Sequence, residues 1–495
     1  MFEKETVLVI VPHQDDEQNL AGSILYDWSL AGSRVFVLFT TNGDRFGLGQ
    51  KRLSEARRAL GVAGIPPANI DVLDYCDMHR CAAVHNYHVE RLRNSIVKDI
   101  KDRILLLRPS VILCVDADEH PDHIATSLMF EEAVSRLLES KEFWPCLIYK
   151  GFAYDTAYNA TKDYDEKLLR ATIRPRRIGN ISYKWDNRVR FYPSLDCCKS
   201  LKEGNPLCEA LSCHSSQHSL DHWDSIVNAD KVFWQRNTDN LIYATRCRTS
   251  SGATDKLFDF RLYDVQNVMS RKWKWLPLGW TPDQQDSNKE ISFSFCSATT
   301  VETLNIVESA VSESHISDLD IFIDGGLFCT VGLRSTLPGT VVPIGKKVCE
   351  VKLRIRSYRG ECPTICLVEL LPPSADDLLY IAPEIDGDLI RRGVCRRIGS
   401  DELVVVGCRS RSGMVGLDSS DYQIEHIGSK GNMDSFRLSV VDGEVSPEIF
   451  SVAMVGKTRL RVMKWILGLK TAVRDLLYKV DLNYRKARIL FGLNR

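Results

Sequence analysis

The sequence predicts an α/β fold, namely a mostly parallel sheet with helices on both faces, followed by an antiparallel β-sandwich region and a basic C-terminal helix. Up to about residue 245, short apolar runs such as Val7–Val11 and Val111–Val115 alternate with segments of helical length, which is typical of a parallel, doubly wound sheet. Beyond residue 249, apolar and polar residues alternate between glycine and proline turns, which indicates antiparallel strands.

The elements of the α/β part follow one another in a regular order. Strands are predicted at residues 7–11, 34–40, 70–73 and 111–115, and helices at residues 20–30, 51–60 and 88–107. The strand segments are rich in β-branched residues, and Gly61 follows the second helix in a position that commonly ends one. Elements of these lengths favour parallel strands joined by helical crossovers.

The length of the chain, 495 residues, exceeds that of one compact domain. We expect four regions: an α/β domain at residues 1–248, a β-sandwich at 249–375, an additional β region at 376–450 and a basic amphipathic helical tail at 451–495. The first boundary coincides with a Thr-Ser-Ser-Gly stretch, where the hydrophobic pattern changes.

The composition is that of an ordinary globular protein, with 44% hydrophobic and 26% charged residues. The net charge of −1 gives no reason to expect a nucleic-acid partner. The 16 cysteines include no Cys-x-x-Cys pair, and the N-terminus carries no secretory signal pattern. We therefore expect reduced thiols and a cytoplasmic protein.

A cluster of polar residues directly follows the first predicted strand. His13, Asp15, Asp16 and Glu17 lie within five positions, just after Pro12. A histidine and an aspartate three residues apart can direct a nitrogen and an oxygen toward one point, a donor set that suits zinc or a similar divalent ion. Taken alone, the cluster is equally consistent with a solvated acidic turn before a helix.

A second polar cluster follows the fourth predicted strand. Residues 116–123 read Asp-Ala-Asp-Glu-His-Pro-Asp-His. Because the carboxyl ends of parallel strands share one edge of a sheet, this cluster can meet the first one. His123 would then join His13 and Asp16 in a three-ligand metal site with a position left for water. Asp15 and His120 would remain near that water as a base and an acid or electrostatic partner.

Four motifs in this order resemble the PIG-L/LmbE-like family of metal-dependent N-acetylglucosaminyl deacetylases. They are residues 12–17, residues 41–44, Arg52-x-x-Glu55 and residues 120–123. The resemblance covers roughly residues 5–245, and residues 211–217 are similar to a later family element. It implies a Rossmann-like α/β fold. It also implies an enzyme that removes acyl groups, typically acetyl groups from N-acetylglucosamine units. Gln14 stands where the family usually carries proline, from which we expect altered turn stiffness rather than lost chemistry.

The resemblance also implies a role for each matching residue. His13, Asp16 and His123 would bind the metal, and Asp15 would take a proton from the metal-activated water. His120 would stabilise the tetrahedral intermediate or protonate the leaving amine, and Asp122 would orient an imidazole. Arg52 and Asp77 match family positions that hold sugar hydroxyls or an attached phosphate.

Several other aromatic residues and histidines have more than one interpretation. His214, His218 and His222 recur every four residues, but we expect capping and core hydrogen bonds there rather than a second metal site. His79, His85 and His88 are expected in a loop at the edge of the site, where they either contact substrate or decorate the surface. Trp223 and Trp234 are expected to pack a final pair of helices.

The β-sandwich region weakly resembles galactose-binding-like jelly rolls in its layout. Trp273, Trp275 and Trp280 could stack on a sugar ring, although filling the core is the more common role of tryptophan. Glycan binding by this region is therefore an open alternative.

The end of the chain is strongly basic. Residues 457–495 hold eleven lysines and arginines but two aspartates, and apolar residues recur there every three or four positions. That pattern indicates an amphipathic helix, which would either lie on an anionic membrane surface or pack against its own domain or a partner chain.

Together these patterns predict a zinc-dependent hydrolase that removes an acetyl group from an N-acetylated sugar or glycoconjugate. Another divalent metal such as Fe²⁺ could replace Zn²⁺. One alternative is an amidase acting on another N-acyl or thiol-conjugate substrate. The other is a non-catalytic glycan-binding protein on the same fold.

Overall fold

The computed structural model describes most of the first 373 residues and parts of the remainder. The described residues are 5–44, 46–77, 86–118, 120–144, 146–153, 164–165, 170–171, 188–191, 204–219, 231–254, 257, 260–266, 274–310, 314–373, 403–405, 422–430, 433–440 and 448–454. The predictions for His79, His85, His222, Trp223, Trp273 and the tail from residue 455 onward lie outside them.

A seven-stranded sheet forms the centre of the α/β part. Its strands are β1 (Thr6–Val11), β2 (Arg34–Thr41), β3 (Ile70–Tyr75), β4 (Val111–Val115), β5 (Leu147–Gly151), β8 (Arg188–Phe191) and β9 (Lys231–Arg236), in the order β3-β2-β1-β4-β5-β9-β8. The first five strands are parallel, and β8 and β9 are antiparallel additions at one end. The predicted mostly parallel sheet is confirmed.

Helices cover both faces of this sheet. They are α1 (Asp16–Leu30), α2 (Gly49–Val62), α3 (Glu90–Leu107), α4 (Pro121–Glu139) and α5 (Pro206–Cys213). Along β1, Leu8 and Ile10 pack against the face covered by α3 and α4. Val7 and Val9 pack in the opposite cluster, which α1 and α2 complete. Both faces of β1 are therefore buried, which explains why its sequence is apolar without alternation.

The second half is built from antiparallel strands, as predicted. The strands β10 (Arg246–Thr249), β13 (Glu290–Glu308), β14 (His315–Ile323), β15 (Gly326–Val331), β16 (Thr340–Arg359) and β17 (Ile365–Leu371) form one six-stranded sheet. The long strands β13 and β16 are interrupted by register shifts, which bend a sheet locally. A sandwich of two packed sheets is not confirmed by this arrangement.

Smaller sheets accompany these two. Two of them have two strands each: one pairs β6 (Tyr164–Asp165) with β7 (Arg170–Ala171), and the other pairs β11 (Tyr263–Gln266) with β12 (Lys274–Pro277). The third has four strands: β18 (Leu403–Val405), β19 (Tyr422–Lys430), β20 (Met433–Val440) and β21 (Glu448–Met454). The four-stranded sheet spans residues 403–454, so β21 extends past residue 450, and the bounds of the additional β region stay a prediction.

Trp280 has the core position that the sequence favours, whereas Trp234 departs from its prediction. Trp280 is fully buried in the core of the six-stranded sheet, and its indole nitrogen donates to the Ser251 carbonyl over 2.8 Å. It therefore fills the core and does not face a sugar. Trp234 lies on strand β9, so the prediction of a helix there is wrong. A short apolar run such as Val232–Trp234 cannot be assigned to helix or strand from its pattern alone.

The hydrophobic core continues across the predicted boundary at residue 248. Phe260 and Val265 belong to the cluster beneath α3 and α4. The Arg236 guanidinium donates to the Phe260 carbonyl over 2.6 Å, and the Tyr87 hydroxyl donates to Asp264 over the same distance. The four-region division stays a prediction, and the first two regions share packing at this seam.

Truncation at residue 248 should therefore lower the free energy of unfolding of the α/β part. We expect a chain of residues 1–248 to be less stable than one of residues 1–373 by about 3–5 kcal/mol or more, the scale of losing one large buried side chain such as Phe260. Denaturant unfolding of both chains would measure the difference. Equal unfolding free energies would show that residues 1–248 form an independent domain.

Among the described residues, no helix combines the length and apolar character that crossing a bilayer requires.

Candidate active site

The predicted site residues meet at the edge of the sheet where β1, β3 and β4 end. His13 follows β1, Asp77 follows β3, and His120 precedes α4. Pro121 occupies the first turn of α4, and the N–H of Asp122 donates to His120 Nδ1 over 3.3 Å. Proline suits that position because the first helical N–H groups have no partner within the helix. The local sequence thus fixes the start of α4 beside the end of β1.

His13, Asp16 and His123 form the centre of the cluster. Asp16 Oδ2 lies 2.9 Å from His13 Nδ1 and 3.2 Å from His123 Nε2. The same oxygen accepts the backbone N–H of His13 over 3.0 Å. All three side chains are buried. The structure thus brings together the three residues that the sequence suggests as metal ligands.

Carboxylates hold the outer nitrogens of both imidazoles. Asp122 Oδ2 lies 2.9 Å and Asp77 Oδ1 3.1 Å from His13 Nε2. Asp118 Oδ2 lies 2.6 Å from His123 Nδ1. In metal sites, a carboxylate at the second ring nitrogen commonly fixes the orientation of a histidine and raises its basicity. Both histidines carry such a partner.

The donor set fits a divalent metal ion. Two donors at ordinary zinc distances in a tetrahedral site are separated by about 3.3 Å, close to the separations around Asp16 Oδ2. Donor atoms of His13, His120 and His123 also lie within 4.8 Å of one another, as do those of His13, Asp77 and Asp122. Nitrogen and oxygen donors with no thiolate favour zinc or iron(II).

His120 lies beside the two other histidines. Its ring centroid is 4.8 Å from that of His13 and 4.7 Å from that of His123. Burial, together with the charges of His123 and His13, holds the pKa of His120 well below its usual value. The ring is therefore neutral at neutral pH, and because Nδ1 accepts a hydrogen bond, its proton is on Nε2.

Protonation is favoured on the two other rings. Burial acts to lower the pKa of His13, but its hydrogen bonds with Asp122 and Asp16 outweigh that effect and raise this pKa well above its usual value. Burial likewise opposes the charge on His123, but Asp118 and Asp16 raise its pKa to about 10. Burial would raise the pKa of Asp16, yet His123 and His13 hold it well below its usual value.

Asp15 and Arg52 lie at the open side of the cluster. Asp15 is partly exposed, and its Oδ1 lies 3.1 Å from Arg52 Nη2. Arg52 Nη1 lies 3.4 Å from Asp77 Oδ2. The guanidinium thus links a carboxylate that follows β1 to one that follows β3. The two predicted substrate-binding residues, Arg52 and Asp77, contact each other, and Arg52 also contacts the predicted base, Asp15.

A buried layer supports the loops of the site. His214 Nε2 lies 2.9 Å from Glu17 Oε1, and both side chains are fully buried. The Glu55 carboxylate accepts hydrogen bonds from Ser215 and Ser216. These contacts attach residues 214–216 to α1 and α2. His214 has the core hydrogen bond expected of it.

Gln14 also has a supporting contact. Its amide nitrogen donates to the Thr41 carbonyl over 2.9 Å, and its side chain is buried. Gly43 has a φ of +64°, and a β-carbon there would lie 1.9 Å from Gln14 Oε1, so a larger residue would be strained and would push the glutamine aside. Proline at position 14 would stiffen the turn after β1. Gln14 instead links this turn to the end of β2 by its hydrogen bond to Thr41.

Sequence reasoning missed Asp118 as a functional residue. Besides His123, it accepts the backbone N–H of His120 over 2.8 Å, so it positions both histidines at the start of α4. Its only sequence signal is the acidic run of residues 116–122, in which neighbouring Asp116 has a different role. Asp116 accepts from the Ser127 hydroxyl and lies 3.4 Å from the buried Lys150. His88, in contrast, is exposed and contacts the ring of Tyr87.

Comparison with known protein families agrees with the motifs. Residues 8–134 match the PIG-L family, described as GlcNAc-PI de-N-acetylase. The resemblance is thereby confirmed for this segment, which contains every predicted metal-binding, catalytic and substrate-binding residue. Comparison with curated proteins gives no match.

Several solved structures are distantly similar. The chain is 20% identical to N,N'-diacetylchitobiose deacetylase from Pyrococcus horikoshii (TM-score 0.24), covering 30% of this chain and 60% of that one. It is 15% identical to a deacetylase of the teicoplanin biosynthesis pathway (TM-score 0.32), covering 46% of this chain and 97% of that one. It is also 15% identical to the 4-carboxy-2-hydroxymuconate hydratase GalB from Pseudomonas putida KT2440 (TM-score 0.23), covering 30% of this chain and 65% of that one. The chain thus spans less than two thirds of the first of these neighbours.

Proposed function

We propose that this protein is a metal-dependent N-deacetylase that releases acetate from an N-acetylated sugar or glycoconjugate. The observation that carries the proposal is that one oxygen of Asp16 contacts both His13 and His123, while further carboxylates contact the other nitrogens of these imidazoles. The match of residues 8–134 to the PIG-L family supports the same reaction.

Three residues would hold the metal: His13 through Nδ1, Asp16 through Oδ2 and His123 through Nε2. A divalent ion bound there would polarise the amide carbonyl and lower the pKa of a water molecule. Zinc suits this donor set, and iron(II) is the alternative. Asp118, Asp122 and Asp77 would keep the imidazoles oriented with their lone pairs toward the ion.

In this proposal Asp15 accepts a proton from the attacking water. Its carboxylate is partly exposed at the mouth of the site and is turned toward Arg52. It sits next to Asp16 in the chain, within reach of the same space. A positioned general base typically accelerates a reaction by about 10²–10⁴-fold.

In this proposal His120 acts on the carbonyl oxygen. Its neutral ring carries a proton on Nε2, which can stabilise negative charge on the oxygen of the tetrahedral intermediate. The nitrogen must gain a proton when the C–N bond breaks, and the proton taken by Asp15 supplies it. Amide and water thus yield acetate and a free amine.

A substrate panel tests this proposal. Mass spectrometry should show loss of one acetyl group from at least one N-acetylated sugar, nucleotide sugar or lipid-linked sugar. Activity should disappear after treatment with a chelator and return when zinc or iron(II) is added, because the metal supplies the electrophile. Acyl release from non-sugar amides alone would favour the amidase alternative. Binding of glycans without acetate release would favour the non-catalytic one.

A further inference from the structure

The guanidinium of Arg52 already contacts two carboxylates of the protein itself. Its side chain is 8% exposed, with Nη2 3.1 Å from Asp15 and Nη1 3.4 Å from Asp77. Its third nitrogen, Nε, is buried and has no hydrogen-bond partner. A phosphate is usually bound by two parallel N–H groups of one arginine. Both outer nitrogens of Arg52 face aspartates, so an anion bound to this guanidinium would have to share it with Asp15 and Asp77.

Asp15, in turn, depends on Arg52 for its orientation. It occupies the position before the first residue of α1, where an aspartate commonly accepts hydrogen bonds from backbone N–H groups of the helix. Its side chain makes no such bond. Its Oδ1 instead accepts from Arg52 over 3.1 Å. The arginine therefore holds the carboxylate away from the helix end.

The charge around Arg52 is unfavourable for an anionic substrate group. Its two carboxylate contacts, Asp15 and Asp77, together outweigh the single positive charge of the guanidinium. A phosphate beside Arg52 would lie next to both of these carboxylates, which like-charge repulsion opposes.

Accepting the proposed function, we infer that Arg52 is a positioning residue for Asp15, and that the space beside it does not take a phosphate. Asp77 has two tasks in this arrangement. One of its oxygens contacts Arg52 and the other contacts His13.

Kinetics of Arg52 variants separate positioning from anion binding. With a neutral N-acetylated sugar, Arg52→Gln should lower kcat at least tenfold and change KM less than threefold, because a freed Asp15 is a misplaced base. Arg52→Lys should restore part of kcat, and Arg57→Gln, on the exposed side of the same helix, should change neither value. A large rise in KM with unchanged kcat would overturn the inference.

Substrate charge provides a second comparison. The unaltered protein should process the neutral sugar at least tenfold faster, by kcat/KM, than the same sugar carrying a phosphate. Asp77→Asn should narrow that ratio, because it removes one of the two carboxylates from Arg52. Preference for the phosphorylated sugar would overturn the inference while leaving the deacetylase proposal intact.

A binding measurement covers the case in which no sugar is turned over. Calorimetric titration of the metal-loaded protein with inorganic phosphate should give the same result for the unaltered chain and for Arg52→Gln. Phosphate binding that disappears in Arg52→Gln would overturn the inference without any reference to catalysis. The unaltered chain and Arg52→Gln could bind phosphate equally while the unaltered chain acts on no acetylated sugar. That result would count against the proposed reaction but would support the inference that Arg52 does not bind phosphate. Circular dichroism would confirm that each variant is folded.

Discussion

Replacing Asp15 with asparagine is expected to lower kcat by about 10²-fold or more, while the protein keeps its metal. Asparagine has the shape of aspartate and an oxygen that can still accept from Arg52, but it cannot take a proton from water. The loss should therefore appear in turnover, with little change in structure.

The expectation that metal is retained follows from where Asp15 points. Its carboxylate contacts Arg52, whereas the donor atoms that converge belong to His13, Asp16 and His123. His13→Ala and Asp16→Ala remove a donor atom outright, so both should lose metal as well as activity. The first variant thus separates proton transfer from metal binding.

Elemental analysis of the purified variants, together with kcat for the best substrate, would check this division of roles. Asp102→Asn is a suitable control, since Asp102 is an exposed residue of α3 paired with Lys98. It should keep both metal and activity. Equal metal loss in Asp15→Asn, His13→Ala and Asp16→Ala would contradict the separate role given to Asp15.

The parallel sheet and the convergence of the site could be predicted because both depend on local patterns. Strand β4 spans Val111–Val115 as predicted, and β1 differs by one residue, Thr6. Helix α1 begins at Asp16, four residues before its predicted start at residue 20, since acidic residues are favourable at a helix N-terminus. Parallel strands then bring their carboxyl ends to one edge, which places His13 near His123 although they are 110 positions apart.

The supporting contacts could not be predicted from such patterns. Glu17 and His214 are 197 residues apart, and their contact depends on the path of the chain between them. Asp116 and Asp118 belong to one acidic run, and only the turn after β4 decides which of them faces His123. The buried Lys150 is likewise indistinguishable in sequence from a surface lysine, yet it pairs with Glu131 over 3.0 Å inside the protein. Periodicity gives the face of an element, whereas pairing of charges is set by tertiary structure.

Metal affinity is expected to rise steeply with pH. In protein freed of metal by chelation, both nitrogens of His13 and of His123 face carboxylate oxygens. The doubly protonated rings are therefore well paired, and the pKa of both is raised, for His123 to about 10. A cation at His13 Nδ1 and His123 Nε2 must displace a proton from each ring.

The sign and the slope follow from proton release. A group with a raised pKa still holds its proton at neutral pH, so binding releases protons and is favoured as pH rises. The apparent association constant should increase about tenfold per pH unit for each proton displaced, and about 100-fold per unit for two, between about pH 6 and 8. Asp118→Asn should reduce the slope, because Asp118 is the strongest charge that favours the protonated form of His123.

Competition between the protein and a chromophoric chelator at several pH values would measure this slope, after correction for the protonation of the chelator. Calorimetry in buffers with different ionisation enthalpies would count the released protons independently. His315→Gln serves as a matched control, since His315 lies on β14 in the antiparallel region and pairs with Glu308. An affinity that does not change with pH would mean that His13 and His123 give up no protons to the metal, and would count against both as ligands.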